Sequence, residues 1–118
     1  PRREKVARRG GVIHFDIEGL TKEHAHARRR AVTLVVMLQK PDRGGGLVLF
    51  DALYSGRVHA SKDERAGPRT TVALDNGDAI LIDAYRLHQI ERFSGKRDRI
   101  SATLHAAETS ENVWECWF

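Results

Sequence analysis

Hydrophobic residues along this chain recur mostly with the two-residue period of strands and seldom with the longer period of helices. The clearest run is Val-Thr-Leu-Val-Val-Met-Leu at 32–38, rich in β-branched residues and apolar on both alternating faces. Leu-Val-Leu-Phe at 47–50 follows Gly44-Gly45-Gly46. Runs at 70–74 and 79–83 flank Asp75-Asn76-Gly77-Asp78. Asn-Gly between apolar runs predicts a hairpin, because both turn residues tolerate positive φ. Residues 99–106 alternate again, with Arg99, Ser101, Thr103 and His105 on one face and Ile100, Ala102, Leu104 and Ala106 on the other. Val12 to Asp16 is a further short strand. Residues 20–30 hold good helix formers but no apolar stripe, which predicts a long charged excursion between strands. Residues 55–69, closed by Gly67-Pro68, predict a second mobile loop.

Many short strands with glycine turns predict a mainly β antiparallel barrel or jelly roll. One domain spans 1–118, with a basic N-terminal segment at 1–11 and a C-terminal tail at 107–118. Strands that are apolar on both faces need cover outside as well as inside. With so little helix on offer, that cover is expected from a preceding segment or a second chain. The start at Pro1 is read the same way, as a processed chain or a piece of a longer one.

Composition narrows this only a little. The single Cys116 excludes an internal disulfide and a cysteine-rich zinc module. No apolar run approaches the roughly 20 residues of a membrane helix, so no membrane partner and a cytoplasmic, reducing setting are expected. The net charge of +4 permits an anionic partner, but Arg2, Arg3, Lys5, Arg8 and Arg9 crowd the first nine positions. Such a run reads as a solvated end rather than a nucleic-acid arm.

The candidate chemistry begins with His14-Phe15-Asp16, an imidazole and a carboxylate at i and i+2, which leave the same face of a strand. Gly77-Asp78-Ala79-Ile80-Leu81-Ile82-Asp83 then leads to His88. Eleven residues later, Arg99 and Ser101 share a face at the start of the last long strand. Two histidines and a carboxylate make the facial triad of non-haem iron(II) sites. An arginine fork with a neighbouring hydroxyl suits a carboxylate ligand.

This order of motifs resembles the Fe(II)- and 2-oxoglutarate-dependent oxygenases, most closely their prolyl-4-hydroxylase-like branch, over about residues 12–106. The resemblance implies a double-stranded β-helix of the cupin-like jelly-roll type. It also implies His14, Asp16 and His88 as catalytic iron ligands, Arg99 pairing with the distal carboxylate of 2-oxoglutarate, and Ser101 hydrogen-bonding beside it. The implied cofactors are Fe(II), 2-oxoglutarate as co-substrate, and O2. The implied reaction is hydroxylation of an unactivated C–H bond of a small-molecule or peptidyl substrate, with release of succinate and carbon dioxide. Because Asp16 is present, halogenation is not implied. Family members usually carry helices ahead of the His-x-Asp strand that cover the larger sheet, and the thirteen residues before His14, six of them charged, do not match them. Two other readings stand beside this one: oxidative demethylation of nucleic acid by the same chemistry, and a non-catalytic cupin-like binding barrel.

The other chemical side chains have plainer readings. His24 and His26 are expected in a solvated loop, and His59 in a polar loop without a partner. His105 is expected to be a hydrogen-bonded interior histidine. Trp114 and Trp117 are read as a packing patch or interface, and Met37 as core. The excursion at 17–31 and the loop at 52–69 are the expected lids over the site.

Overall fold

The computed structural model describes residues 3–118, so Pro1 and Arg2 of the basic segment lie outside the described residues. The elements in chain order are α1 (Arg3–Arg9), α2 (Lys22–His26), β1 (Ala31–Gln39), β2 (Arg43–Gly44), β3 (Leu47–Leu53) and α3 (Lys62–Ala66), followed by β4 (Arg69–Val72), β5 (Ala79–Asp83), β6 (Arg86–Ile90), β7 (Phe93–Ser94), β8 (Ile100–Ser110) and β9 (Val113–Trp117). The architecture is mainly β, and every strand pair among the described residues is antiparallel. A four-stranded sheet runs β5-β1-β8-β9, a three-stranded sheet β4-β3-β6, and β2 pairs with β7. None of these sheets closes into a barrel. No helix among the described residues is long and apolar enough to cross a membrane.

β1 is the axis of the larger sheet. Its β-branched and aliphatic run alternates so that Ala31, Thr33, Val35 and Met37 are buried, while Val32, Leu34 and Val36 lie half-exposed on the other face. The buried positions meet the smaller sheet: Val35, Met37, Leu47 and Leu74 form one cluster, with Leu49, Val72, Ile80 and Ile90 packed around it. A second cluster joins Phe15, Phe50, Ala60 and Leu87. The core therefore sits between the facing sides of the two sheets. Gly46 permits the close approach of β3 and β4, since a Cβ there would lie 2.1 Å from the Val72 carbonyl oxygen.

Several expectations need correction. The Asn76-Gly77 turn closes no hairpin: β4 pairs with β3 in the smaller sheet, whereas β5 pairs with β1 in the larger. Gly77 has φ +88, and its amide donates to the Met37 carbonyl, so the turn is a corner that carries the chain from one sheet to the other. β5 does not deliver His88 either; the chain turns at Ala84-Tyr85 and His88 lies on β6, in the smaller sheet. The segment expected as a strand at 12–16 makes only a bridge, His14 to His88.

Part of the basic N-terminal segment is helical. Glu4 and the pair Arg8, Arg9 complement the two ends of the α1 dipole, and Gly10 at φ +81 ends it. The expected excursion holds α2, capped by the Thr21 side chain, and the expected mobile loop holds α3, closed by a capping box between Ser61 and Glu64. The expected C-terminal tail extends β8 and folds back as β9.

The outer face of the larger sheet remains apolar and open among the described residues: Leu81 is 62% exposed, Leu38 57% and Ile100 48%. The two faces should respond differently to truncation. Phe50→Ala, at a fully buried position, is expected to cost about 3–5 kcal/mol in urea unfolding. Leu38→Ser on the outer face is expected to stay within about 0.5 kcal/mol of wild type. A large loss at Leu38 would show that this face is buried in solution.

Candidate metal centre

The site is assembled by one backbone contact between distant parts of the chain. His14 and His88 exchange both of their amide hydrogen bonds, N to O at 3.0 Å in each direction. Such a reciprocal pair places two residues directly opposite one another with their side chains on one face. The ring centroids accordingly lie 4.4 Å apart. Two residues on from His14, Asp16 returns to the same side, its amide held by the Ala84 carbonyl at 2.9 Å. One ligand atom from each of His14, Asp16 and His88 falls within 4.8 Å of the others. The structure thus brings together the three residues expected as ligands.

Both imidazoles are oriented by the backbone. His14 Nδ1 lies 2.8 Å from the Val12 carbonyl oxygen and His88 Nδ1 2.9 Å from that of Arg86. A carbonyl accepts but never donates, so each Nδ1 carries a proton and, in the neutral ring, each Nε2 is left with a lone pair. These Nε2 atoms face the carboxylate: His14 Nε2 is 3.1 Å from Asp16 Oδ1 and His88 Nε2 is 3.2 Å from Asp16 Oδ2. Lone pairs facing an anion at that distance repel unless a proton or a metal cation lies between them.

The electrostatics follow. Burial by itself would raise the Asp16 pKa, but hydrogen bonds from His14, His88 and Thr33, with the His88 charge, outweigh it and hold the carboxyl well below its ordinary range. The hydrogen bond to Asp16 raises the His14 pKa above 6.5, against the opposing effect of burial and with help from the Val12 carbonyl. An ionised carboxylate and imidazoles with oriented Nε2 atoms are the forms that bind a divalent metal.

Arg99 and Ser101 form a second feature. Arg99 Nη1 donates to Ser101 Oγ at 2.7 Å, and its Nε donates to the Gly45 carbonyl at 2.6 Å. Gly45 presents that carbonyl at φ +81, where a Cβ would meet Pro41 Cγ at 2.6 Å. Arg99 Nη2 is buried without a hydrogen-bond partner, and burial lowers the Arg99 pKa. An unpaired guanidinium nitrogen out of water is costly unless an anion meets it.

The remaining histidines divide. His26 and His59 are exposed, as expected. His24 is not solvated: it is 8% exposed within α2, its amide held by Thr21 and its Nε2 unpartnered. Being buried, it reverses the loop reading, because the excursion folds back onto Ala31, Ala84, Tyr85 and Ala107 through Ala25. His105 is hydrogen-bonded as expected, 3.1 Å from Thr33 Oγ1, but half-buried rather than interior. Thr33 itself was not anticipated at the site. Its signal was a hydroxyl on the inward face of an apolar strand, shared with Val35 and Met37. A cleft of about 770 Å³ is lined by Ile17, the residue after Asp16, together with Leu20, Tyr54 and Val58.

No family model matches this chain, and no curated protein matches it.

The His14–Asp16 contact gives the metal-free fold a defined pH dependence. A pKa raised on folding contributes stability that is complete below the unfolded value, 6.5 for His14, and lost as pH rises through the folded value. For Asp16 the contribution is present above the unfolded 3.8 and is lost as pH falls toward the depressed folded value. In chelator, the gap in unfolding free energy between wild type and His14→Ala is therefore expected to be larger near about pH 5.5 than near about pH 8.5. An equal gap at both would mean that the two side chains do not interact in solution.

Proposed function

We propose that this chain is an Fe(II)- and 2-oxoglutarate-dependent oxygenase of the prolyl-4-hydroxylase-like kind, built on a double-stranded β-helix of the jelly-roll type. The observation that carries the reading is the largely shielded Asp16 carboxylate facing two Nε2 atoms whose rings are tied at Nδ1 to the backbone. The donor set, two imidazoles and one carboxylate, is that of non-haem iron(II) centres with open positions. Nε2 of His14, Nε2 of His88 and the Asp16 carboxylate would hold the metal. When bound, iron with 2-oxoglutarate and O2 would supply the oxidising chemistry, one oxygen atom of O2 going into the succinate formed with carbon dioxide and the other into a substrate C–H bond to give C–OH.

The remaining tasks belong to the chain's own residues. The orphaned Nη2 of Arg99 suits the distal carboxylate of 2-oxoglutarate, with Ser101 holding the guanidinium in place. Arg99, Ser101 and His105 alternate along one face of the last long strand, at roughly 3.3 Å per residue. An extended dicarboxylate would run along that face, one end at Arg99 and the other toward the triad. The cleft beside Ile17, with an apolar wall and Lys22, His26 and Arg28 at its margin, suits a small-molecule or peptidyl substrate. Orientation in such a site places one C–H bond against the reacting centre and excludes others.

The test is succinate release in the presence of Fe(II), a reductant, 2-oxoglutarate and oxygen, which proceeds uncoupled even without the substrate. His88→Ala should abolish it, and the exposed His59→Ala should leave it intact. Arg99→Ala removes a charge-assisted contact of about 2–5 kcal/mol. It should raise the 2-oxoglutarate requirement by tens of fold while leaving metal affinity nearly unchanged. No succinate from the wild-type chain, or the same co-substrate dependence after Arg99→Ala, would contradict the reading.

A further inference from the structure

Behind Asp16 lies a row of side chains that the metal reading does not use. Thr33 Oγ1 is 2.7 Å from Asp16 Oδ2 and 3.1 Å from His105 Nδ1. The β1–β8 register sets Thr33 directly opposite His105, so both project from the same face of the larger sheet. His105 in turn lies against the indole of Trp117, with ring centroids 5.8 Å apart and planes 28° from parallel. Trp117 is wedged by Gly19, where a Cβ would stand 3.0 Å from the indole nitrogen. Gly19 belongs to the excursion that follows Asp16, so the row closes on itself.

The direction of these bonds follows from proton counting. A hydroxyl has one hydrogen and an ionised carboxylate has none, so Thr33 donates to Asp16. Its oxygen is then free only to accept, so the hydrogen between Thr33 and His105 belongs to His105 Nδ1. The sequence of donation is His105 Nδ1–H to Thr33 Oγ1–H to Asp16 Oδ2. Thr33 is 1% exposed on a central strand, and its β-branched side chain is stiff about χ1. The hydroxyl therefore stays where the sheet places it.

We propose that Thr33, steadied by His105 and Trp117, is a positioning residue: it anchors Oδ2 so that the Asp16 carboxylate cannot turn, and presents it already oriented to a metal between His14 and His88. This rests on the metal reading above and adds to it a role for the last two strands. Hydrogen-bonded partners of ligating carboxylates set ligand geometry, and their loss typically costs about 10–100-fold in metal affinity.

The experiment is a Co(II) titration of the metal-free full chain, following both the dissociation constant and the visible ligand-field band, with unfolding curves on every variant. Thr33→Val keeps the shape and removes the hydroxyl. It should weaken Co(II) binding about tenfold or more and shift the band. Thr33→Ser restores the hydroxyl and should bind within about threefold of wild type. His105→Phe keeps a ring on Trp117 and removes the donor; it should weaken binding at least threefold and serves if Thr33→Val does not fold. The inference is overturned if Thr33→Val or His105→Phe binds as wild type does with an unchanged band, or if Thr33→Ser binds as poorly as Thr33→Val, which would make the role one of packing. If wild type takes up no Co(II), or His88→Ala binds equally well, the metal reading falls and this inference with it.

Discussion

One backbone contact governs this site: the reciprocal pair of hydrogen bonds between His14 and His88, each 3.0 Å. Residues seventy-four positions apart become direct neighbours, and both imidazoles must then leave the same side of the strand pair. Everything else follows from that register. A slip by one residue would turn His14 to the opposite face and separate it from His88. The flanking bonds, Gly11 to Ile90 and Asp16 to Ala84, hold the segment on either side of the pair. The core supports it from beneath: Phe15, pointing the other way from its two neighbours, enters the cluster of Phe50 and Leu87. His14-Phe15-Asp16 is thus anchored through its middle residue, and the chemistry sits on the two outer ones.

The electrostatic cost of the arrangement is concentrated on Asp16. Its side chain is only 10% exposed, and an ionised carboxylate that far from water needs donors or cations around it. The chain supplies Thr33, His14 and His88, and the last two can serve only with a proton or a metal on Nε2. Metal and proton therefore compete for the same space, and in the absence of metal the His14–Asp16 contact stabilises the fold only where His14 keeps its proton. Arg99 states the complementary requirement at the other end of the same face. It is a half-buried cation with Gly45 and Ser101 as neutral acceptors and one buried nitrogen left over. A ligand that is anionic at the Arg99 end and able to reach the triad would answer both demands.

How much of this was legible beforehand depends on range. β1, β3, β5 and β8 were readable because each carries a local period of two and local turn chemistry. The triad was readable because an i, i+2 pair and a strand-borne histidine are local patterns too. What failed depends on pairing between distant segments. Asn76-Gly77 has the composition of a hairpin turn, yet β1 and β3 offer larger apolar faces than β4 and β5 offer each other. The two strands joined by the turn therefore part into different sheets. His24 looked solvated among Lys22, Glu23 and Arg28, because its neighbours along the chain are charged. Its burial comes from Ala25 and Tyr85 drawing α2 onto the sheet, with the Tyr85 hydroxyl bound to the Arg29 carbonyl at 2.7 Å. The role of Thr33 was hidden for the same reason. Its partners are seventeen and seventy-two positions away, and a threonine in a strand is otherwise unremarked.

The central claim is that His14, Asp16 and His88 hold one divalent cation through the atoms that the backbone leaves free. Anomalous diffraction from crystals loaded with Mn(II) tests it directly. The account predicts a single strong peak bonded to Nε2 of both histidines and to an Asp16 oxygen, at about 2.0–2.3 Å, with each Nδ1 still on its carbonyl. Manganese bound through Nδ1, seated instead at His24 and His26, or absent from the triad at saturating concentration would contradict it.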